Sequence, residues 1–461
     1  MLRASGTTEG ASSEAEVVIV NTCSVTAEAD REARAWIRRA HRANPNARIV
    51  VTGCYAQRAP GELAALAGVA AVVGNSHKAL TPEIALGLLK APAGSTDESP
   101  LVQIQNARTS AAAPRVAAPR VLADDTFAHS FLEEAPILPG AQTRPNLKIQ
   151  EGCSNRCSFC VIPQTRGSSR SLPGLAVLAH VRSFVAAGGN ELVLSGINLG
   201  RWGRDLSVDQ PIRTLSALVR AIFEQTRLPR LRLSSIEPMD WDADLIALMR
   251  EFGATRLARH AHLPLQSGSD SVLRRMYRRY RPWHYAGKVA ELLDAGGPAL
   301  TLGADVMVGF PGETDREFQE TCDFIRILPF GYLHLFPFSP RPGTRAWNLH
   351  AANPVPPAVV NERMATLREL AAEKTRSHRV RFVGGDLEAI TLHTPAAIGA
   401  AGRTSALTEN FLPVEVAAAL AANRLTRIQI TGLTSEGTLL GAPAPAFRPG
   451  FILEPQLENA F

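Results

Sequence analysis

Two short apolar runs near the start of the chain flank a segment with helical periodicity. The runs EVVIVNTC (16–23) and ARIVVTGC (47–54) have the composition of buried parallel strands, and TAEADREARAWIRRAHRANPN lies between them. Thr26 is placed to cap this helix, with acidic residues in the first turn and arginines near the end, as the helix dipole favours. Strand, helix and strand in this order predict a parallel α/β domain in residues 1–90.

Both predicted strands of this domain end on a cysteine. These are Cys23 after the first strand and Cys54 after the second. Parallel α/β sheets place their ligands at the carboxyl ends of the strands. The two thiols are therefore candidates to share one metal site.

The middle of the chain, residues 146–374, alternates strand-like and helical segments. The strand-like segments end in polar or glycine-rich residues, and they are LKIQEGC, ELVLSGINLG, RLRLSSIEP, LARHAHLPLQSG, LTLGADVMVGFPGET and YLHLFPFSPRPGT. Helical stretches such as DADLIALMREF and DREFQETCDFIRIL lie between them. About six strands with intervening helices predict a partial (βα)6 barrel, whose site lies at the strand ends.

The stretches around this barrel have different compositions. Residues 91–145 are rich in Ala, Pro and Ser, which predicts a linker without a core of its own. Residues 375–441 contain short β-like segments, which predict a small β-barrel able to present a basic face to nucleic acid. Residues 442–461 are expected to form a tail. The predicted fold class is therefore α/β with a small β-barrel at its C-terminal end.

Composition narrows the classes of protein that this chain can be. Six cysteines in 461 residues is sparse usage, which favours a reducing compartment and metal binding over disulfides. The longest small-and-apolar run, AALAGVAAVVG (64–74), is about half of a bilayer span, and the first residues lack a hydrophobic signal core. We therefore expect a cytoplasmic protein with no membrane partner. A net charge of +6 permits a polyanionic partner.

Three of the cysteines lie close together directly after the first barrel strand. Cys153, Cys157 and Cys160 form a C-x-x-x-C-x-x-C pattern. A structural zinc site needs four protein ligands, and no fourth Cys or His lies nearby in the sequence. An iron-sulfur cube held by three thiolates leaves one iron open to a substrate or cofactor. The pattern favours iron-sulfur chemistry, with zinc and unligated buried cysteines as the alternatives.

This cysteine pattern, with Phe159 before its last cysteine, resembles the motif of the radical S-adenosylmethionine superfamily. Most of the chain is also similar to the methylthiotransferases of that superfamily, through NTCSVT, VTGCYAQR, QEGCSNRCSFCVIPQTRGSSRS, HLPLQSGSD, DVMVGFPGET and FPFSPRPGTRA. The segment ALTENFLPV resembles the TRAM RNA-binding module. The resemblance implies a 4Fe-4S cluster at the three cysteines that cleaves S-adenosylmethionine to a radical.

Within this family, LSSIEP, RRMYRRY and SPRPGTRA look most like the enzymes that act on N6-threonylcarbamoyladenosine beside the tRNA anticodon. The resemblance implies hydrogen abstraction at an adenine carbon, sulfur from an auxiliary cluster and a methyl group from a second S-adenosylmethionine. Its expected partners are tRNA and an electron donor such as a flavodoxin or ferredoxin, and a monomer is expected. The alternatives are an isopentenyl-adenosine or ribosomal-protein methylthiotransferase, or a non-catalytic iron-sulfur protein that binds RNA.

The resemblance also implies which residues bind S-adenosylmethionine. They are the backbone beside Phe159 and Val161, the strand-end residues Ser195 and Gly196, then Ser235 and Glu237, and finally Gly309 and Gly312. A plain turn is the alternative explanation for each small residue. The stretch LRRMYRRYRPWHY (273–285) suits contacts with phosphates and splayed bases, or else forms a solvated helical face.

The remaining cysteines and histidines also have expected roles. Cys23 and Cys54 match two of the three ligands of the family's auxiliary cluster, whose domain normally begins with a further strand and cysteine. Because the chain starts with MLRASGTTEGASSE, the resemblance predicts a misplaced start or a truncation, and poor methylthiolation. Cys322 is expected to be a packed thiol. Core or rim roles are expected for His260, His262 and His334.

Overall fold

The computed structural model describes residues 2, 5–90, 119–127, 143–253 and 255–444. The chain forms two compact units, each assembled from three stretches of sequence. Unit 1 contains Met1–Glu133, Gly152–Ser168 and Ser339–Asn348. Unit 2 contains Glu134–Glu151, Ser169–Phe338 and Leu349–Phe461.

Unit 1 is built on a parallel sheet of four strands that are neighbours in chain order. Its elements are β1 (Val17–Thr22), α1 (Ala27–Ala43), β2 (Arg48–Gly53), α2 (Cys54–Arg58), α3 (Pro60–Ala64), β3 (Val69–Gly74), the 3-10 turn Asn75–Leu80, α4 (Thr81–Lys90), β4 (Arg120–Leu122) and α5 (Ile162–Arg166). The predicted strand, helix and strand are confirmed. Thr26 caps α1, since its side chain accepts the Ala29 N–H.

Two strands of this sheet were not predicted. β3 forms within the apolar run 64–74, where small residues hide the strand pattern. β4 lies inside the stretch 91–145 that was predicted to be a linker, and it pairs with β3 in parallel. An edge strand needs a pairing partner on one side only, so three residues with two exposed positions suffice. The rest of the predicted linker lies outside the described residues, except 119–127 and 143–145.

Unit 2 contains all six predicted barrel strands. Its first elements are β5 (Asn146–Glu151), β6 (Arg170–Ser171), α6 (Gly174–Ala186), β7 (Glu191–Gly196), α7 (Leu215–Gln225), β8 (Arg230–Leu233), α8 (Ala243–Phe252), β9 (His260–His262), α9 (Asp270–Arg275), α10 (Pro282–Gly296), β10 (Thr301–Val308), α11 (Asp315–Ile327), β11 (Phe330–Pro337), α12 (Arg345–Ala352), which begins in unit 1, and α13 (Pro357–Val380). β5, β7 and β8 pair in parallel, as do β9, β10 and β11. A bridge between Leu231 and Leu257 joins the two runs, which confirms the partial (βα)6 arrangement.

The last part of unit 2 is a closed barrel of five strands, as the sequence predicted. Its elements are β12 (Asp386–Thr391), α14 (Ala396–Ala400), β13 (Thr404–Thr408), β14 (Pro413–Val416), β15 (Leu425–Leu433) and β16 (Leu439–Pro443). Alternating apolar residues such as Ala389, Val414 and Ile428 fill its core. The predicted tail lies outside the described residues from 445 onward. None of the described helices is long and apolar enough to cross a membrane.

The small barrel packs against the amino-terminal ends of the parallel strands. Arg230, the first residue of β8, pairs with Glu388 of β12. Arg259, just before β9, donates from Nε to Glu409 at 3.0 Å. Phe411 stacks on His260, with ring centroids 4.4 Å apart. The carboxyl-terminal ends of the strands are therefore at the end of the sheet away from the small barrel.

Candidate functional site

The three clustered cysteines lie on one loop of unit 1, Gly152–Ser168, here called the cysteine loop. The Cys153 N–H donates to Gly167 O at 3.0 Å and closes the loop. Gly152 has a φ of 69°, and a Cβ there would lie 2.1 Å from Ser168 O, so only glycine permits this crossing. All six cysteines, each within the described residues, are thiols rather than disulfides. Cys322 lies apart, fully buried on α11.

The side chains of the cysteine loop fit an iron-sulfur cube. The loop contains three cysteines and no histidine, aspartate or glutamate. Thiolates are the usual ligands of such clusters, and three of them leave one iron open to a cofactor. A structural zinc would need a fourth ligand that the loop does not supply.

Unit 1 also contains the strand-end cysteines Cys23 and Cys54. Asn75, at the end of β3, connects Cys54 with the cysteine loop. Its Nδ2 lies 3.4 Å from Cys54 Sγ and donates to Thr165 O at 2.8 Å. One compact unit therefore contains five thiols that the sequence placed in two different domains.

A buried ion-pair network holds the Cys23 loop, defined here as residues 23–26. Asp30 accepts hydrogen bonds from Arg58 at 2.8 Å and from Arg341 Nη1 at 2.9 Å. Arg341 Nη2 also donates to the backbone oxygen of Ser24 at 2.7 Å. Arg341 and Asp30 are each 3% exposed. Because Arg341 lies in FPFSPRPGTRA, this motif helps to hold the Cys23 loop.

The residues of unit 2 that were predicted to bind S-adenosylmethionine follow the carboxyl ends of parallel strands. They are Ser195 and Gly196 at the end of β7, Ser235 and Glu237 after β8, and Gly309 and Gly312 after β10. Ligands of parallel α/β folds bind at this edge. Phe159 and Val161 belong to the cysteine loop of unit 1.

Three of these predicted residues also have structural roles. Gly309 and Gly312 have φ values of 74° and 70°, which a plain turn would require of glycine. The Gly309 N–H donates to Glu313 at 2.9 Å. Both carboxylate oxygens of Glu237 accept hydrogen bonds from Arg278 Nη2, at 2.6 and 2.7 Å. A cofactor role for these residues stays a prediction.

Polar side chains on β9, β10 and β11 form a group that is here called the polar network. The sequence did not predict that these side chains lie together. The network consists of His260, His262, Asp305, Tyr332 and His334. The two oxygens of Asp305 lie 3.1 Å from His262 Nε2 and 3.3 Å from His334 Nδ1. The Tyr332 hydroxyl lies 2.8 Å from His260 Nε2 and 2.9 Å from His262 Nδ1. Strand pairing brings these residues together, and no short sequence spacing reveals it.

The Tyr332 hydroxyl connects the two histidines of the polar network. It lies between His260 Nε2 and His262 Nδ1, and the tautomers of the two rings decide which atom donates at each contact. Burial lowers the pKa of His260 well below its usual value, and His260 Nδ1 has no hydrogen-bond partner among the described residues. His262 donates from Nε2 to Asp305. The ligand atoms of His262, Asp305 and His334 lie within 4.8 Å of one another, a spacing that would suit a metal ion.

The charges at the exposed end of the polar network are coupled. Burial opposes ionisation of Asp305, but hydrogen bonds from His262 and His334 hold its pKa well below the ordinary value. The hydrogen bond to Asp305 raises the pKa of His334. The His334 side chain is 63% exposed, so it can present a donor to a bound molecule.

The arginine-rich stretch 273–285 is not a single helical face. α9 ends at Arg275 and α10 begins at Pro282. Arg275 pairs with Glu317 at 2.8 Å, so it supports the fold. Tyr280 is fully buried, whereas Tyr277 is 52% exposed. The stretch therefore combines structural residues with a few that face solvent.

Two family models match the chain. The Radical SAM superfamily model matches residues 147–325, and the Uncharacterized protein family UPF0004 model matches residues 1–74. The first match includes the cysteine loop and five of the six parallel strands. With three thiols on one loop and a partial α/β barrel, the chain is a radical S-adenosylmethionine enzyme that uses a 4Fe-4S cluster and S-adenosylmethionine.

Named relatives define the family more narrowly. The chain is 35% identical to threonylcarbamoyladenosine tRNA methylthiotransferase MtaB of Bacillus subtilis (strain 168), over 82% of this chain and 76% of that protein. It is 33% identical to the protein of the same name from Aquifex aeolicus (strain VF5), over 90% and 91%. It is also 33% identical to tRNA-2-methylthio-N(6)-dimethylallyladenosine synthase of Sorangium cellulosum (strain So ce56), over 85% and 77%. The radical S-adenosylmethionine methyltransferase TsrM from Kitasatospora setae superposes with a TM-score of 0.47 at 17% identity, over 73% of this chain and 64% of that one. The chain belongs to the methylthiotransferase family, and it transfers a methylthio group.

Proposed function

We propose that the chain is a tRNA methylthiotransferase that adds a 2-methylthio group to N6-threonylcarbamoyladenosine at position 37, next to the anticodon. Relatives named for this activity match 82% and 90% of the chain, which supports the proposal. The closed five-stranded barrel of unit 2 supports an RNA substrate, since small β-barrels of this kind bind nucleic acid. A tRNA substrate also supports a cytoplasmic location.

The names of the two relatives that match 82% and 90% of the chain carry the choice of substrate, and the polar network is compatible with it. A threonylcarbamoyl group offers a carboxylate, a hydroxyl and a urea, whereas a dimethylallyl group offers apolar surface only. His334 is 63% exposed and hydrogen-bonded to Asp305, so it can donate to a polar substituent. An exposed donor of this kind is compatible with the polar threonylcarbamoyl group.

Within this proposal the cysteine loop holds the radical cluster through Cys153, Cys157 and Cys160. Cys23 and Cys54 take part in an auxiliary cluster, and the Asp30 network keeps the first of them in place. When bound, the radical cluster supplies the electron for cleaving S-adenosylmethionine, which gives a radical able to abstract hydrogen. A flavodoxin or ferredoxin is the proposed electron donor.

The proposed contacts with S-adenosylmethionine are made mostly by backbone groups and small side chains. They involve Phe159, Val161, Ser195, Gly196, Ser235, Glu237, Gly309 and Gly312. Glu237 needs its bond to Arg278 for a fixed orientation, since both of its oxygens are engaged there. These residues bind and orient the cofactor rather than react with it.

Mass spectrometry of tRNA nucleosides from a strain without the gene tests the proposal. We expect the 2-methylthio derivative of N6-threonylcarbamoyladenosine to disappear and its unthiolated precursor to accumulate. A variant with the three loop cysteines replaced by alanine should restore none of it, and the control variant Cys322→Ala should restore as much as the wild-type chain does.

Other outcomes of the same experiment would contradict the proposed substrate. Loss of the 2-methylthio derivative of isopentenyl-adenosine would assign the dimethylallyl activity that the Sorangium relative's name describes. A loss confined to a ribosomal protein would assign protein methylthiolation. Unchanged nucleosides and proteins, with no 5′-deoxyadenosine formed in vitro, would indicate a non-catalytic iron-sulfur protein.

A further inference from the structure

Three arginines of unit 2 share a single carboxylate. Asp240 lies 3.4 Å from Arg201 Nε, 3.3 Å from Arg204 Nη2 and 3.1 Å from Arg279 Nη1. The Asp240 side chain is fully buried, so it fixes the positions of the guanidinium groups around it. These four residues are here called the Asp240 cluster.

The Asp240 cluster lies on loops that follow the carboxyl ends of the parallel strands. Arg201 ends a 3-10 turn after β7, and Asp240 ends a similar turn after β8. Arg279 lies between α9 and α10, beyond β9. Because ligands of parallel α/β folds bind at this edge, the cluster lies where a substrate would approach.

The charges within the Asp240 cluster do not balance. One carboxylate against three guanidinium groups leaves a formal charge of +2. Two nearby arginines each have a carboxylate of their own. Arg275 pairs with Glu317, and Arg278 pairs with Glu237. A local surplus of positive charge attracts anions to the surface around it.

The two outer arginines have donors available to an anion. The side chains of Arg204 and Arg279 are 59% and 43% exposed. Each guanidinium carries five N–H donors, and each of these contacts Asp240 through one nitrogen. Planar guanidinium groups with free donors bind phosphate oxygens well.

Exposed apolar side chains lie beside these arginines in the sequence. Met239 is 40% exposed and precedes Asp240, and Tyr277 is 52% exposed and lies two residues before Arg279. RNA-binding surfaces combine basic groups for the backbone with flat or apolar groups for unstacked bases. We propose that the Asp240 cluster binds the phosphate backbone of the RNA substrate, with Arg204 and Arg279 on the phosphates and Asp240 as the positioning residue. The inference rests on the proposed function.

The salt dependence of RNA binding tests this inference. The full chain is titrated against an anticodon stem-loop RNA by fluorescence anisotropy at several salt concentrations between about 0.05 and 0.3 M. Each phosphate contact contributes about 0.7 to 0.9 to the slope of log K against log salt. The double variant Arg204→Gln/Arg279→Gln should lower this slope by about 1.4 to 1.8 and weaken binding at least tenfold at low salt.

Two control variants separate phosphate binding from a general effect of charge. Arg204→Lys/Arg279→Lys keeps both charges and should keep most of the slope. Arg220→Gln/Arg250→Gln removes the same charge from α7 and α8, where each arginine pairs with an exposed carboxylate, and should leave the slope unchanged.

Two results would overturn the inference in different ways. A wild-type slope in Arg204→Gln/Arg279→Gln, or an equal loss in Arg220→Gln/Arg250→Gln, would reject the Asp240 cluster and leave the proposed function intact. A wild-type chain that does not bind the stem-loop would reject both. Mass spectrometry of tRNA nucleosides tests the proposed function independently of the binding measurement.

Discussion

Replacing Arg341 with lysine should raise the equilibrium constant for opening of the Cys23 loop by about a hundredfold. In the wild-type chain the Arg341 guanidinium donates to Asp30 at 2.9 Å and to Ser24 O at 2.7 Å through two different nitrogens. A lysine ammonium keeps the positive charge but lacks the planar fork that reaches both oxygens at once. Arg341→Lys therefore tests geometry rather than charge.

The magnitude follows from the burial of the network. Lysine keeps a charge beside Asp30 but loses the two guanidinium nitrogens that donate to Ser24 O, at 3.1 and 2.7 Å. Hydrogen bonds that involve a charged group contribute about 1.5–3 kcal/mol each, so the loss of this pair costs about 3 kcal/mol. A cost of about 3 kcal/mol changes an opening equilibrium by about a hundredfold, since about 1.4 kcal/mol corresponds to a factor of ten.

Amide hydrogen exchange of the full chain, measured anaerobically in reducing buffer, checks this expectation. The Ala27 N–H donates to Ser339 Oγ at 2.9 Å, so its exchange requires the Cys23 loop to open. Arg250→Lys, which alters an exposed pair in unit 2, serves as the control. An Ala27 exchange rate in Arg341→Lys equal to that of the wild type would refute the role assigned to this arginine.

Three further predictions follow from the cysteine loop, the polar network and a buried glutamate. Replacing the three loop cysteines with alanine should remove about four irons per chain and abolish 5′-deoxyadenosine formation, as iron analysis and chromatography would show, whereas Cys322→Ala should keep both. Asp305→Asn should lower the pKa of His334 in an NMR titration, because its hydrogen-bond partner loses its charge; an unchanged midpoint would contradict the network. The stability that His334 contributes is present below its unfolded pKa and lost as pH rises through the higher folded value. Glu191→Gln should lower the free energy of unfolding in urea by about 3–5 kcal/mol, since three arginines contact this buried carboxylate. Burial opposes ionisation of Glu191 but the arginines lower its pKa, so its contribution is present above the unfolded pKa and lost as pH falls through the folded value; an effect that did not shrink in acid would contradict this.

The six barrel strands of unit 2 could be predicted because each is an apolar run with a marked end, whereas the two-residue antiparallel strand β6 was not predicted. The segment LTLGADVMVGFPGET, for example, becomes β10 and ends at the turn that begins with Gly309. β4 could not be predicted, since three residues that pair on one side carry almost no pattern. β3 could not be recognised in the sequence, because a run of valines and small residues is compatible with several kinds of secondary structure.

The same distinction applies to the candidate site. The cysteine loop could be predicted because its thiols are close in sequence and follow a strand directly. The polar network could not, since Asp305 and His334 are 29 residues apart and meet only through the pairing of β10 with β11. The hydrogen bond from Arg341 to Asp30 could not be predicted either, because no local pattern connects residues on such distant segments.

The distance between Asp30 and Arg341 along the chain also has a consequence for biosynthesis. The two residues are 311 positions apart, and ribosomes add roughly 5–20 residues per second, so about 15–60 s separate their synthesis. During that interval the exposed Cys23 has left the ribosome while the arginine that holds its loop does not yet exist. Accessible thiols are the ones that oxidants reach first. The Cys23 loop of the nascent chain therefore lacks this restraint until Arg341 has been made, and its thiol is accessible to oxidants throughout that interval.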